Sequence, residues 1–427
     1  MKKKAQLLKN KIARNILVIT GGAAIAQVLN MFFSPIITRL YSPEEYGVMA
    51  VLTSLLMVLS FQSLRYEMAI PIAEDDDKAV NVAGLCLFIL CIFSFILTLS
   101  LAVKGDVILK LLDADELIKY KYFVSLGVFM VGLYNIQIQW MYRRKNFNLI
   151  SKTRVGQNLI GNLTKIGAGY LGFGAWGLLL GKIMSESISV ISFTKYFVKN
   201  ELALVKKIKR KDLTWSLKRY KNFPMYQTPS TFLATLKNQL PVFSLTMYGN
   251  EVVGLYGLAN TVVKLPMTLV GHSVRNVFFA EAASIGKSKP KELKKLSDKL
   301  LKKMIVLGLI PLIVLIALGP FLFSLVFGSE WLESGVLARY LAVAIYADFV
   351  FSPVSRVYEV LERQKEKMFL DLGGLALVFL SFLTARLLSA EPRFAIILYS
   401  LSMTLYYLTT YILSNKYLKD EIRKQFE

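Results

Sequence analysis

Apolar blocks of about twenty residues recur along the whole chain, and they leave few folds open. Each is long enough to cross about 30 Å of hydrocarbon as a helix. Twelve can be placed, at roughly 16–40, 46–72, 80–103, 120–142, 154–173, 176–198, 223–248, 252–280, 303–327, 335–361, 368–389 and 393–415. Only helices and closed barrels satisfy every backbone group in lipid. The alternating, strand-length segments of a barrel are missing. The 427 residues are 55% hydrophobic, above the roughly 45–50% of soluble domains. The expected fold class is an all-α integral membrane protein of about twelve transmembrane helices. MKKK, an apolar run and Ala24-Ile25-Ala26 imitate a cleaved leader. The run continues to Leu40, which favours a first span instead.

The net charge of +23 raises nucleic acid as a partner. The placement of the lysines and arginines argues against it. They gather in alternate short connections: the N-terminal arm, the loop with Arg143, Arg144 and Lys145, the stretch from Lys199 to Lys221, and the stretch from Lys287 to Lys303. The positive-inside rule then places both termini in the cytoplasm. Residues 200–222 form the longest connection and divide the chain into an N-terminal half, 1–199, and a C-terminal half, 223–427, of six spans each. A shift of 207 positions carries Tyr41 onto Tyr248, Glu44 onto Glu251, Gly47 onto Gly254 and Arg65 onto His272. With an even number of spans per half, the repeat is parallel.

Charges inside the spans are the candidate functional residues, because a charge at bilayer depth costs about 3 kcal/mol on insertion scales. Arg65, Arg275 and Arg356 lie toward the cytoplasmic ends of their spans. Lys165, Lys237, Lys264 and Asp348 lie near the midplane. Polar residues recur beside them at helical spacing: Asn158, Asn162 and Lys165; Asn260, Lys264, Thr268 and Arg275; Asn30 with Gln27 and Ser34. Amides and hydroxyls alone glue helices together; unmatched cations ask for something else. The expectation is a central cationic cavity lined mainly by spans 1, 2, 7 and 8. Its six cations face only Glu67 and Asp348 as candidate anions, which suits an anionic ligand such as a phosphate. Glu67 and Asp348 are candidates for H+ or Na+ coupling, or for structural ion pairs. Residues i and i+2 diverge on a regular helix, so Glu67 is not expected to neutralise Arg65.

Other features point to structure. Glu74 to Asp77 reads as a solvated, helix-capping acid cluster, and Trp140, Trp176 and Trp331 as interfacial belt residues. Cys86 and Cys91 read as core hydrophobes, and the lone His272 argues against a histidine metal centre. No nucleotide-binding GxxxxGK[ST], GxSxG or HExxH motif occurs. No catalytic residue, cofactor or metal is expected.

The turn RLYSPEEYG, Arg39 to Gly47, and the stretch RYEMAIPIAEDDDKA, Arg65 to Ala79, resemble the polysaccharide biosynthesis proteins that flip lipid-linked oligosaccharides. These O-antigen and capsule flippases belong to the multidrug/oligosaccharidyl-lipid/polysaccharide exporter superfamily. The resemblance implies two six-helix halves around a cationic cavity in the bacterial cytoplasmic membrane. It also implies ATP-independent transfer of undecaprenyl-diphosphate-linked repeat units by alternating access, alongside a polysaccharide polymerase and chain-length machinery. The alternatives are a drug or cation antiporter or a peptidoglycan-precursor flippase of the same superfamily, or a membrane-embedded glycosyl polymerase or transferase.

Overall fold

The computed structural model describes residues 2–111, 115–266 and 270–425, without the side chains of 2–13, 16, 111, 116, 266, 272 and 273. Thr268 and the side chain of His272 therefore lie outside the described residues. Among the described residues every regular element is helical. The chain divides into two compact units, Met1–Gln239 and Leu240–Glu427.

In the first unit, α1 (Lys2–Thr38) leads into a tight turn. Ser42 caps the next helix, α2 (Pro43–Val58), as a reciprocal box: its hydroxyl accepts from the Glu45 N–H at 3.2 Å, while its own N–H donates to Glu45 Oε2 at 2.9 Å. The expected span 46–72 is not one helix. α2 stops at Val58, residues 59–65 turn, and a 3-10 helix, Tyr66–Ile72, follows. Leu64 and Arg65 both take left-handed backbone conformations, at φ 51° and 61°.

Four long helices follow: α3 (Asp76–Leu111), α4 (Lys121–Arg143), α5 (Phe147–Tyr170) and α6 (Ala175–Asn200). Residues 200–222 were expected to be a loop. Instead they hold a 3-10 turn, Leu202–Lys207, and α7 (Arg210–Arg219). Ile208, Leu213 and Trp215 give this basic stretch an apolar face, which packs on the core around Val80, Cys86 and Phe193. α8 (Thr228–Leu245) opens from a π-helical turn, Phe223–Gln227.

In the second unit, α9 (Asn250–Pro266) starts 207 residues after α2, and a π-helical turn at 270–271 leads into α10 (His272–Ile285). Then come α11 (Pro290–Phe327), α12 (Leu332–Phe351), the short α13 (Val357–Val360), α14 (Gln364–Leu387) and α15 (Pro392–Arg423). Among the described residues, eight helices are long and apolar enough to cross a membrane: α1, α3, α4, α6, α11, α12, α14 and α15. The other four expected segments hold α2, α5, α8 and α9 with α10. α2 is cut short by the turn at 59–65. α5 and α8 carry polar residues through their apolar runs.

Two tryptophans depart from the expected belt. Trp140 is buried against Phe197, and Trp331 is fully buried. Trp176 alone of the three is exposed, where it packs on Tyr120 and Phe123. An indole within a tight helix junction gains more from packing than from the interface.

Candidate functional site

Arg65 sits on the break itself. Its left-handed backbone and the 3-10 turn behind it bring residues i and i+2 to the same side. Arg65 Nη1 therefore reaches Glu67 Oε1 at 3.4 Å, contrary to the helical expectation. Glu67 is buried, and its other oxygen accepts from the Ser63 hydroxyl at 2.5 Å. Arg65 Nε is buried and has no hydrogen-bond partner among the described residues.

A second charged group in this unit lies where α5 and α6 cross. A Cβ at Gly181 would stand 2.8 Å from the Gly161 carbonyl oxygen and 2.3 Å from Lys165 Cγ. Only glycines permit that approach, and it seats Lys165 over α6. Tyr41 Oη donates to the Lys165 carbonyl at 2.6 Å and ties α5 to the α1–α2 turn. Lys165 faces Lys182 within electrostatic range, and Lys182 pairs with the buried Glu186 at 2.7 Å. Nearby, Asn162 Nδ2 donates to Asn30 Oδ1 at 2.8 Å, joining two predicted residues on α5 and α1. Asn158 bonds only its own helix, at the Arg154 carbonyl. Lys237 is half-buried on α8.

The second unit gathers three predicted residues into one centre. Asp348, within the last turn of α12, hydrogen-bonds with Tyr407 and Ser352 and faces Arg275 and Lys264. Lys264 lies in the last turn of α9, and Arg275 lies in the first turn of α10. A cation at a helix C-terminus is favoured by the helix dipole, whereas a carboxylate there needs compensation. Lys264 and Arg275 supply it to Asp348. Tyr399, hydrogen-bonded to Tyr256, borders the same carboxylate. Asn260 is half-buried one turn before Lys264. Arg275 Nε, like Arg65 Nε, is buried without a hydrogen-bond partner among the described residues. Arg356 pairs locally with Glu359 and lies over the Phe279 ring at 5.8 Å.

The acid cluster does more than cap a helix. Asp75 accepts from the Lys78 N–H at 2.7 Å, which starts α3. Asp76 binds Arg143 at 2.9 Å and Arg144 at 2.8 Å, and Arg144 continues to Glu201 at 2.7 Å. Burial draws the Arg144 guanidinium down, but its bonds to Glu201 and Asp76 outweigh this and hold it above its ordinary value. Asp77 takes Lys207 at 2.7 Å, and Asn81 bonds the backbone of Lys207 and Lys209. The cluster therefore clamps the linker to α3.

Sequence reasoning missed Lys182 and Glu186, although a Lys–Glu pair at i, i+4 inside an apolar run is a readable signal. It also missed Tyr256, Tyr399 and Tyr407, which carry no charge pattern. Among the described residues, no group of three metal-ligating side chains occurs. Residues 36–336 match the polysaccharide biosynthesis protein family. The chain belongs to that family. Among curated proteins, no relative matches it. In structure, this family member is similar to an inward-facing multidrug resistance MATE family transporter of the MOP superfamily. The two are 15% identical over 95% of this chain and 99% of that one, with a TM-score of 0.68. It is also similar to lipid II flippase MurJ in an inward closed conformation, at 14% identity over 96% and 92% of the two chains and a TM-score of 0.67. A MATE transporter of Vibrio cholerae is 13% identical over 98% and 99%, with a TM-score of 0.58. At these identities the likeness shows the fold: a multi-pass helical membrane protein built from two six-helix halves.

Proposed function

We propose that this protein is a flippase rather than an enzyme, moving undecaprenyl-diphosphate-linked oligosaccharide repeat units across the bacterial cytoplasmic membrane for surface polysaccharide. Alternating access, coupled to an H+ or Na+ gradient, drives the transfer, and a polysaccharide polymerase receives the cargo. Family membership supports the pathway. Four buried guanidinium Nε atoms have no hydrogen-bond partner among the described residues, those of Arg65, Arg144, Arg275 and Arg339. The observation that carries the chemistry is that two of them, Arg65 and Arg275, lie in the second expected span of each half, where Arg275 faces Asp348 and Lys264 lies close by. A buried donor left unmade costs about 1–3 kcal/mol, and phosphate oxygens are matched acceptors for it. Corresponding positions at the interface of internal repeats are a common place for substrate sites in transporters. Lys165 with Lys182, and Lys264 with Arg275, outnumber Glu186 and Asp348. An anionic head group suits that excess better than the cationic drug of an antiporter.

The test is restoration of surface polysaccharide in a strain lacking its own flippase. Arg65→Ala, Lys264→Ala and Arg275→Ala each lower display at normal membrane levels, and Arg65→Lys loses less than Arg65→Ala. Full display by all three alanine variants overturns the reading. Asp348→Asn shifts the dependence of display on pH or sodium; an unchanged dependence removes Asp348 from coupling.

A further inference from the structure

The first three turns of α11 carry lysines that neither charged centre uses. Lys291, Lys295, Lys299 and Lys302 are exposed and line an open cleft of about 490 Å³, with Lys294 and Asp298 beside them and Ile422 of α15 at its side. Lys294 turns aside to Asp298 at 2.8 Å. Lys295, Lys299 and Lys302 have no carboxylate within ion-pairing distance among the described residues. Like charges three and four residues apart repel on a helix. The helix tolerates them because its opposite face is anchored: Leu293, Ser297 and Met304 are buried.

The residues farther along the same face identify the occupant. At 3.6 residues per turn, the row Lys295, Lys299, Lys302 continues into Val306, Ile310 and Ile313. These are 66%, 70% and 60% exposed, in a segment long and apolar enough to cross a membrane. The distance from Lys302 to Ile313 is about 16 Å along the axis, roughly one leaflet of hydrocarbon. One face thus offers cations at head-group depth and bare aliphatic surface at acyl-chain depth. A soluble phosphate would use only the first.

We propose that this face of α11 is a binding site for an anionic phospholipid, its phosphate held by Lys295, Lys299 and Lys302 and its chains lying along Val306, Ile310 and Ile313. The site is separate from the cargo centres and fixes the depth of α11 in the bilayer.

Native mass spectrometry of the purified full-length protein, titrated with phosphatidylglycerol, tests this. Replacing Lys295, Lys299 and Lys302 with Gln weakens retention of the lipid by about a hundredfold, at roughly fivefold per lysine near a membrane surface. The corresponding arginine triple retains binding, which separates loss of charge from loss of fold. Replacing the linker residues Lys206, Lys211 and Lys218 with Gln leaves retention unchanged. Equal loss from the linker triple, or no loss from the α11 triple, overturns the proposal by showing delocalised charge. Phosphatidylcholine matching phosphatidylglycerol would do so by removing the anion requirement. Glycerol phosphate or undecaprenyl phosphate displacing the lipid at equal concentration would reassign the lysines to a soluble phosphate or to the cargo.

Discussion

Arg65 has two jobs that a single alanine confuses. Its side chain carries the donors, while its backbone holds φ 61°, a conformation that costs a non-glycine residue about 1 kcal/mol or more. Arg65→Gly removes the guanidinium and the backbone strain together, whereas Arg65→Ala keeps the strain. Both variants should lose polysaccharide display, with the glycine protein at least as heat-stable in detergent as the alanine one. Normal display by Arg65→Gly would mean that Arg65 only shapes the turn. The α5–α6 crossing yields a second expectation. Gly181→Val drives a side chain into Lys165 and the Gly161 carbonyl, costing about 1–3 kcal/mol by overpacking, read as a lowered melting temperature. Arg65 itself was legible from sequence, because a charge in an apolar run is conspicuous. Its pairing with Glu67 was not, because a left-handed turn leaves no trace in hydrophobic periodicity. Asp348 stood out for the same reason as Arg65. Its partners Tyr399 and Tyr407 come from a distant helix, and no local spacing announces them.

Helices were the most readable elements here. Bilayer thickness fixes their length, and every one of the twelve expected segments holds helical structure. The break in the second span was less readable: Pro71 marked its neighbourhood, but the turn at 59–65 contains no proline. The linker was misread because its charges dominate its composition, while five apolar residues, Leu204, Ile208, Leu213, Trp215 and Tyr220, decide its packing. The acid cluster then fixes it in place. Asp76→Ala takes the shared carboxylate from Arg143 and Arg144, loosens the Arg144–Glu201 pair and should free the start of the linker, residues 201–206. Amide exchange across that segment should rise roughly tenfold, equivalent to about 1.4 kcal/mol of local stability. Asp75→Ala, which touches only the start of α3, should leave that exchange unaltered. Equal effects from the two variants would show general fraying of the α3 terminus instead of a clamp.

At the scale of the molecule, charge and hydropathy make different demands on topology, and one position separates them. If only the eight strongly apolar helices crossed the bilayer, then α1, α3 and α4 would be the first three crossings. The loop at Arg144, Lys145 and Asn146 would then lie opposite the N-terminus. If α2 with its 3-10 extension also crosses, that loop lies on the N-terminal side. The positive-inside rule favours the second arrangement, since Arg143, Arg144 and Lys145 are concentrated there. The broken, polar spans must then cross despite their composition, which protein-lined surroundings permit and lipid does not. Lys145 is exposed, so Lys145→Cys, in a chain with Cys86 and Cys91 replaced by Ala, reports the side directly. A membrane-impermeant maleimide should leave it unlabelled in intact cells and label it after permeabilisation. Gly172→Cys, in the α5–α6 turn, should react in intact cells. Labelling of Lys145→Cys from outside would remove α2 from the spanning set, and with it the placement of Arg65 inside the membrane.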